Sequence, residues 1–147
     1  MKEEDIKKIE EKVTNIVEKL IKNTNYILVD VSFKGIGGRK KLEIALDKPG
    51  GITLDDCEKI SNEISLMLDA EDFITGPYIL EVTSPGLDRV LKTDRELRWG
   101  KGKKVIVYTD SGEYKGILRD FDEDTLFIEP EMKISRKEVK KVKLNEV

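Results

Sequence analysis

The sequence contains no histidine and a single cysteine, Cys57. One cysteine excludes an internal disulfide, and without histidine there is no zinc site of the usual Cys/His kind. The missing histidine also removes the commonest general base near neutral pH, which excludes Ser-His and Cys-His nucleophilic catalysis. An enzyme with this sequence would have to use carboxylates, lysine or a carboxylate-bound metal.

Long apolar runs are absent as well. No run approaches the roughly 18 residues of a membrane span. The first residues, MKEEDIKKIEEKV, are charged at a helical period and lack the apolar centre of a signal peptide. We therefore expect a cytoplasmic protein with no membrane partner.

Charged residues are abundant, at 39% of the chain, but they nearly cancel to a net charge of −3. That value argues against a generally basic nucleic-acid binder. The average hides an asymmetry: residues 1–92 hold 14 Lys+Arg against 18 Asp+Glu, a net −4, whereas residues 93–147 hold 13 against 12, a net +1. The basic potential lies in the C-terminal part.

The N-terminal part alternates between helical and strand periodicity. Apolar residues at three- and four-residue spacings predict a helix over about 3–23, and strict alternation predicts a β-hairpin over 27–46. Thr53 and Asp56 resemble a capping box that opens a second helix, and a third strand is expected near 78–82. The predicted order is αββαβ, with two helices covering one face of an antiparallel sheet in a KH-like arrangement.

Two features of this part could be mistaken for functional motifs. Gly35-Ile36-Gly37-Gly38 matches the GxxG phosphate loop of KH domains, but here it joins strands rather than helices, so we interpret it as a hairpin tip. The adjacent Arg39, Lys40 and Lys41 could still contact a polyanion. Cys57 is in helical register with apolar residues, so we expect its thiol to be buried and inert.

Beyond Lys92 the pattern changes to short strands with polar turns, which predicts a small closed barrel, Sm-like or SH3-like, within an α+β chain of two domains, 1–92 and 93–147. The segment LKTDRELRWGKGKK is interpreted as the connection between the domains. The strands are expected at 105–108, 113–121, 125–129, 132–134 and 142–144, with one helical turn at 135–138.

Residues 112–128 carry the clearest fold signal. Gly116, Leu118, Phe121 and Asp122 resemble the first signature of Sm-like barrels, in which a glycine lets a bent strand curl and an aspartate holds the turn. No clear counterpart of the second, RNA-binding signature occurs near 130–144. The acidic residues at 120–124 lack the glycine and the distant glutamate of a calcium loop, so we interpret them as a turn.

The stretch VTSPGLDRVL, residues 82–91, forms a stiff corner. Pro85 fixes φ, Gly86 permits a positive φ, and Leu87 could anchor the corner by returning to the core. Asp88 could accept local N–H groups, and Arg89 offers a planar donor fork to a carboxylate or a phosphate. A structural elbow and a binding surface both fit these residues.

The corner, together with GGITLDDCEKISNEISLMLDAEDFI upstream and KGILRDFDEDTLFI downstream, resembles the RimP family of bacterial ribosome maturation factors. The likeness covers nearly the whole chain, although Val90 replaces the proline of the family's usual SPGLDRPL. The resemblance implies an α/β N-terminal domain related to KH folds and a Sm-like or SH3-like barrel. It also implies a non-catalytic protein that binds the immature small ribosomal subunit near its twelfth ribosomal protein.

These expectations define the candidate residues. We predict a partner-binding or interdomain elbow at Ser84, Pro85, Gly86, Leu87, Asp88 and Arg89. The basic residues predicted to face rRNA are Lys101, Lys103, Lys104, Lys115, Arg119, Lys140 and Lys141. We expect a monomer with no catalytic residue, no metal and no cofactor.

Two other functions are conceivable from the residue types present. One is a general RNA-binding regulator that uses the barrel, and the scarcity of stacking aromatics argues against it. The other is a hydrolase using Ser84, which lacks both a base and a nucleophile elbow.

Overall fold

A computed structural model describes residues 2–36 and 38–146 of the chain. The chain forms two compact units, of which the first ends at Pro85 and the second begins at Gly86. The sequence had placed this division after residue 92. The structure places it earlier because residues 87–91 hydrogen-bond to the last strand of the second unit.

The first unit has the predicted αββαβ order. Its elements are helix α1 (Glu3–Ile21), strands β1 (Ile27–Ile36) and β2 (Arg39–Asp47), helix α2 (Leu54–Glu71) and strand β3 (Tyr78–Thr83). Strands β1 and β2 form the predicted antiparallel hairpin. Gly37, in the glycine-rich hairpin tip, lies outside the described residues.

The sheet of this unit is mixed rather than antiparallel, so that part of the prediction was wrong. Its strand order is β1-β2-β3, and β3 runs parallel to β2 from the pair Lys40↔Tyr78 to the pair Ala45↔Thr83. The reason is the connection: α2 returns the chain to the end of the sheet where β2 began. Parallel neighbours require such a crossover, whereas a short turn would give antiparallel ones.

Both helices pack on one core with the strands. Val13 and Val17 of α1, Leu42 and Ile44 of β2, and Ile64 of α2 are fully buried in the same cluster. Burial at four-residue helical spacing and two-residue strand spacing is what the sequence pattern predicted.

Cys57 is half-buried rather than part of the core. It lies at the margin of the inner face of α2. Desolvation by its neighbours still raises the pKa of its thiol above the ordinary value, so the thiolate form is disfavoured. The predicted inert character therefore has a physical basis even though the side chain is only partly covered.

The second unit contains a short helix and five strands. They are α3 (Asp94–Gly100), β4 (Lys104–Thr109), β5 (Gly112–Phe121), β6 (Thr125–Glu129), β7 (Met132–Ser135) and β8 (Val139–Leu144), with a 3-10 turn at Arg136–Glu138. The five strands form one antiparallel sheet in the order β7-β6-β5-β4-β8. Among the described residues no pairing joins β7 to β8, so closure into a barrel is not observed.

Helix α3 was not predicted, because its residues were interpreted as a linker. The signal was nevertheless present in the sequence. Thr93 accepts a hydrogen bond from the Glu96 N–H, and the Glu96 carboxylate accepts one from the Thr93 N–H, which is a complete capping box. The pattern T-x-x-E is a helix-start signature, and here it opens a helix of only two turns.

None of the helices in residues 2–36 and 38–146 is both long enough and apolar enough to cross a membrane.

Candidate functional site

The predicted corner is divided between the two units. Ser84 and Pro85 end the first unit, directly after β3, and residues 86–89 begin the second. Gly86 has φ = 76°, the left-handed conformation that its residue type suggested.

Residues 87–91 run antiparallel beside β8. Leu91 N donates to Val142 O at 2.8 Å, Leu144 N donates to Arg89 O at 2.8 Å, and Glu146 N donates to Leu87 O at 3.1 Å. Val90 forms an antiparallel bridge with Lys143. The outer edge of β8 is therefore covered by the corner segment.

Arg89 is tied to the buried carboxylate of Glu96. Arg89 Nε lies 2.7 Å from Glu96 Oε2, and the two side chains are 17% and 4% exposed. Glu96 also accepts from the N–H groups of Lys92 and Thr93, each at 3.1 Å. Burying a carboxylate is costly unless it is paired and hydrogen-bonded, and here both conditions are met. The guanidinium of Arg89 thus connects the corner to α3.

Leu87 and Asp88 have the opposite character. The side chain of Leu87 is 58% exposed, so the expectation that it returns to the core was wrong. Asp88 is exposed as well. In the pairing with β8, Leu87 lies beyond the end of the apolar cluster, where no core is available to receive it. The exposed residues of the predicted elbow are therefore Ser84, Gly86, Leu87 and Asp88, whereas Arg89 contacts α3.

The predicted basic residues separate into two groups. In the first, the cation already has an intramolecular partner: Lys101 lies 3.0 Å from Asp120, Arg119 lies 2.9 Å from Glu129, and Lys140 lies 2.8 Å from Asp110. The hydrogen bond from Lys101 lowers the pKa of Asp120 below its ordinary value. Lys103 forms no ion pair within the described residues and lies over the ring of Trp99, 5.0 Å from its centroid, so it belongs to the second group.

The second group also contains Lys104, Lys115 and Lys141, which belong to three neighbouring strands, β4, β5 and β8. Lys141 lies over Tyr108, 4.7 Å from the ring centroid. None of the three forms one of the ion pairs found in the described part of the chain. Within the described residues, three of the seven predicted cations therefore take part in ion pairs and four do not.

The glycine of the Sm-like pattern has the predicted steric role. A Cβ on Gly116 would lie 2.2 Å from Glu129 O and 2.5 Å from Ile128 Cγ2, so β5 approaches β6 as closely as only glycine allows. The β5–β6 register shifts between Leu118 and Asp120, which is an irregularity of the kind that bends a strand.

The aspartate of the same pattern holds the turn. Asp122 Oδ1 accepts from Asp124 N at 2.9 Å and from Thr125 N at 2.8 Å. These local bonds explain the acidic stretch at 120–124 as turn chemistry. Within the described residues, no group of three or more His, Cys, Asp or Glu side chains is placed to hold a metal ion.

Asp56 is the most strongly perturbed carboxylate of the described chain. Lys48 Nζ lies 2.7 Å away, Thr53 N donates to it at 2.9 Å and the Tyr26 hydroxyl donates at 2.8 Å. These three donors hold its pKa far below the ordinary value, with the Lys48 contact as the largest cause. The same hydrogen bond raises the pKa of Tyr26. All of these groups fix the start of α2, so the perturbation has a structural cause.

The first unit and the corner together decide the family. Residues 16–88 match the family model of the RimP N-terminal domain. This chain belongs to the RimP family. RimP proteins are ribosome maturation factors without catalytic activity. The match runs from the middle of α1 through β3 and ends at Asp88, so the exposed dipeptide Leu87-Asp88 lies at its end.

Proposed function

We propose that this RimP-family protein is a non-catalytic maturation factor of the small ribosomal subunit, which binds the immature 30S subunit close to its twelfth ribosomal protein. The match of residues 16–88 to the RimP N-terminal domain carries this proposal. The corner at 84–89, the family's most recognisable stretch, supplies an exposed tip on a hydrogen-bonded segment. A rigid tip loses little conformational entropy on binding.

The charge of the first part of the chain supports a basic protein partner. Residues 1–92 carry 14 Lys+Arg and 18 Asp+Glu. On α2, Asp55, Glu58 and Asp69 are exposed, and Leu66 is 72% exposed among them. An acidic surface with an accessible apolar side chain suits a segment rich in Lys and Arg, as ribosomal proteins commonly are. Electrostatic steering would then accelerate their encounter.

Several finer features belong to the same proposal. The protein would act in the cytoplasm as a monomer with no membrane partner and no cofactor. Its C-terminal sheet would be the Sm-like or SH3-like barrel of the family, in the unit that begins at Gly86. The corner would present Leu87 and Asp88 to the ribosome while Arg89 holds the segment in place.

Co-sedimentation with separated ribosomal subunits tests the proposal. We expect the protein to migrate with immature small subunits and not with large ones, at moderate as well as low salt. The variant Leu87→Ser with Asp88→Ala should weaken this binding and leave the thermal unfolding midpoint unchanged. A matched control, Ile79→Ser with Asp110→Ala, makes the same chemical changes at exposed sites elsewhere.

Equal binding to both subunits would contradict the proposal, as would a corner variant that binds like the control. The second candidate function, a general RNA-binding regulator, predicts that outcome together with salt-labile binding to bare RNA. The observation that favours it is the group of lysines on β4, β5 and β8 that form no ion pair within the described chain.

A further inference from the structure

The pattern of buried residues along β4 identifies which side chains lie on the outer face of the C-terminal sheet. Val105 and Val107 are fully buried. Because successive side chains of a strand point to opposite faces, Lys104, Ile106 and Tyr108 lie on the outer side. The pairings of β4 with β5 and β8 then determine which other residues share that side.

One cross-strand row on this face contains two lysines. Ile106 is paired with Lys115 of β5 on one side and with Lys143 of β8 on the other. Val90 extends the row through its bridge to Lys143. Since neighbouring strands are about 4.8 Å apart, Lys115 and Lys143 flank Ile106 with their backbones about 10 Å apart.

The next row along the strands has the same character. Tyr108 is paired with Glu113 of β5 and with Lys141 of β8. The hydrogen bond from Leu91 N to Val142 O places Lys92 beside Lys141 in the register of the corner segment. Glu113 is the one carboxylate in the two rows.

We call the five lysines of this surface, Lys92, Lys104, Lys115, Lys141 and Lys143, the basic face. None of them takes part in an ion pair within residues 2–36 and 38–146. Clustered like charges repel one another, and a polyanion laid across them relieves that repulsion while releasing its counterions. Of the other four cations of the predicted rRNA set, Lys101, Arg119 and Lys140 are already in ion pairs, and Lys103 lies over the ring of Trp99.

We propose that the basic face binds the phosphate backbone of RNA without reading its bases. Lysine ammonium groups act as point charges toward phosphate. Base stacking requires an open aromatic ring, but Tyr108 is half-buried and Lys141 lies 4.7 Å from its centroid. Backbone contacts position an RNA and carry no sequence information. This inference deepens the proposed function and rests on it, since ribosomal RNA is the RNA that a subunit maturation factor meets.

Two triple variants of the full chain test the basic face. Lys104→Gln/Lys115→Gln/Lys143→Gln removes three charges from the face, and Lys101→Gln/Arg119→Gln/Lys140→Gln removes three charges that are already paired. Binding to a short synthetic RNA duplex is followed by fluorescence anisotropy over a series of salt concentrations. Trp99 fluorescence and far-UV circular dichroism verify that both variants remain folded.

For the basic-face variant we expect a loss of affinity of at least tenfold at low salt. The slope of log affinity against log salt should fall in magnitude by roughly 2 to 3, because each lost phosphate contact removes about 0.9 from it. The control variant should stay within about threefold of the wild type. Equal losses in the two variants, or no loss in either, would overturn the proposal.

Two further measurements separate this inference from its alternatives. Polyglutamate that competes as well as the RNA duplex at equal charge would assign the face to acidic protein segments and overturn the inference. Co-sedimentation of the wild type with small subunits is scored independently. If co-sedimentation fails while duplex binding still depends on the basic face, the proposed function is wrong and the RNA-binding surface is supported. If co-sedimentation succeeds while the basic-face variant binds the duplex as tightly as the wild type, the inference is wrong.

Discussion

Arg89 Nε donates to Glu96 Oε2 at 2.7 Å, and this bond joins the corner segment to the first turn of α3. Glu96 is the one buried charged residue among the described residues, at 3% exposure. Its carboxylate also accepts the backbone N–H groups that open the helix. One ion pair therefore orients both the segment beside β8 and the helix that precedes β4.

Replacing Arg89 with alanine should destabilise the second unit. Removing one partner of a buried ion pair typically costs about 3–5 kcal/mol, because it leaves an uncompensated buried charge. Arg89 is partly exposed and Glu96 keeps its backbone donors, so we expect a loss of about 2–3 kcal/mol, which corresponds to a fall in Tm of roughly 10–20 °C. Trp99, the single tryptophan, packs against the core of this unit and reports its unfolding by fluorescence.

Lys140→Ala provides the matched comparison for Arg89. It also deletes a cation from an ion pair of the same unit, but Lys140 and Asp110 are 65% and 86% exposed. Exposed pairs contribute about 0–1 kcal/mol. Equal Tm values for Arg89→Ala and Lys140→Ala would show that the Arg89–Glu96 pair is not a structural anchor.

Gly116→Ala should separate β5 from β6. The added Cβ would overlap Glu129 O, a backbone atom that cannot rotate away. We expect a loss of at least 1–3 kcal/mol, roughly the cost of overpacking a core, again measured through Trp99. Lys115→Ala on the same strand changes an exposed side chain and should have an effect below about 0.5 kcal/mol. A Gly116→Ala protein as stable as Lys115→Ala would contradict the close approach of the strands.

The Asp56 cluster predicts a pH-dependent difference in the stability of the first unit. A carboxylate whose native pKa is lowered stabilises the fold above its unfolded pKa, and this contribution disappears as the pH falls through the native pKa. Asp56→Asn should therefore melt at a lower temperature than the wild type near neutral pH. The gap should narrow as the pH falls below about 4, the pKa of an unperturbed aspartate.

Far-UV circular dichroism melts at several pH values measure that gap. Asp69→Asn on the same helix is the control. Asp69 is exposed and lies near the end of α2, whereas Asp56 lies in its first turn. Its Tm should follow the wild type at every pH. A gap for Asp56→Asn that stays constant down to acid pH would mean that the ionised carboxylate does not contribute to stability.

Gly86→Ala tests the conformation of the corner. Gly86 has φ = 76°, and an L-residue with a Cβ pays about 1–2 kcal/mol in this region. Its Cβ would lie 3.7 Å from Asp88 Oδ1, so steric overlap adds nothing. Gly86→Asn should cost less than Gly86→Ala, since asparagine tolerates the left-handed conformation better. An alanine variant at least as stable as the asparagine variant would contradict this backbone assignment.

The local elements could be predicted because their signals are local. The four-residue spacing of Val13 and Val17 implied a buried helix face, and Thr53 with Asp56 marked the start of α2. Gly116 had the expected role because the close approach of β5 to β6 leaves no room for a Cβ at that position. Asp122 had the expected role because its side chain accepts hydrogen bonds from the N–H groups of the turn. Helix α3 was missed although Thr93 and Glu96 carried the same kind of cap.

The sequence by itself determined the order of the strands and of α1 and α2, the cap of α2, and the family to which the chain belongs. The tertiary structure alone decided that β3 lies parallel to β2 and that residues 87–91 pair with β8. It also decided that Arg89 pairs with Glu96, and which lysines share one face. The physical reason is that periodicity and capping act over a few residues, whereas strand pairing and charge pairing join groups far apart in the chain, whose partners no local pattern specifies.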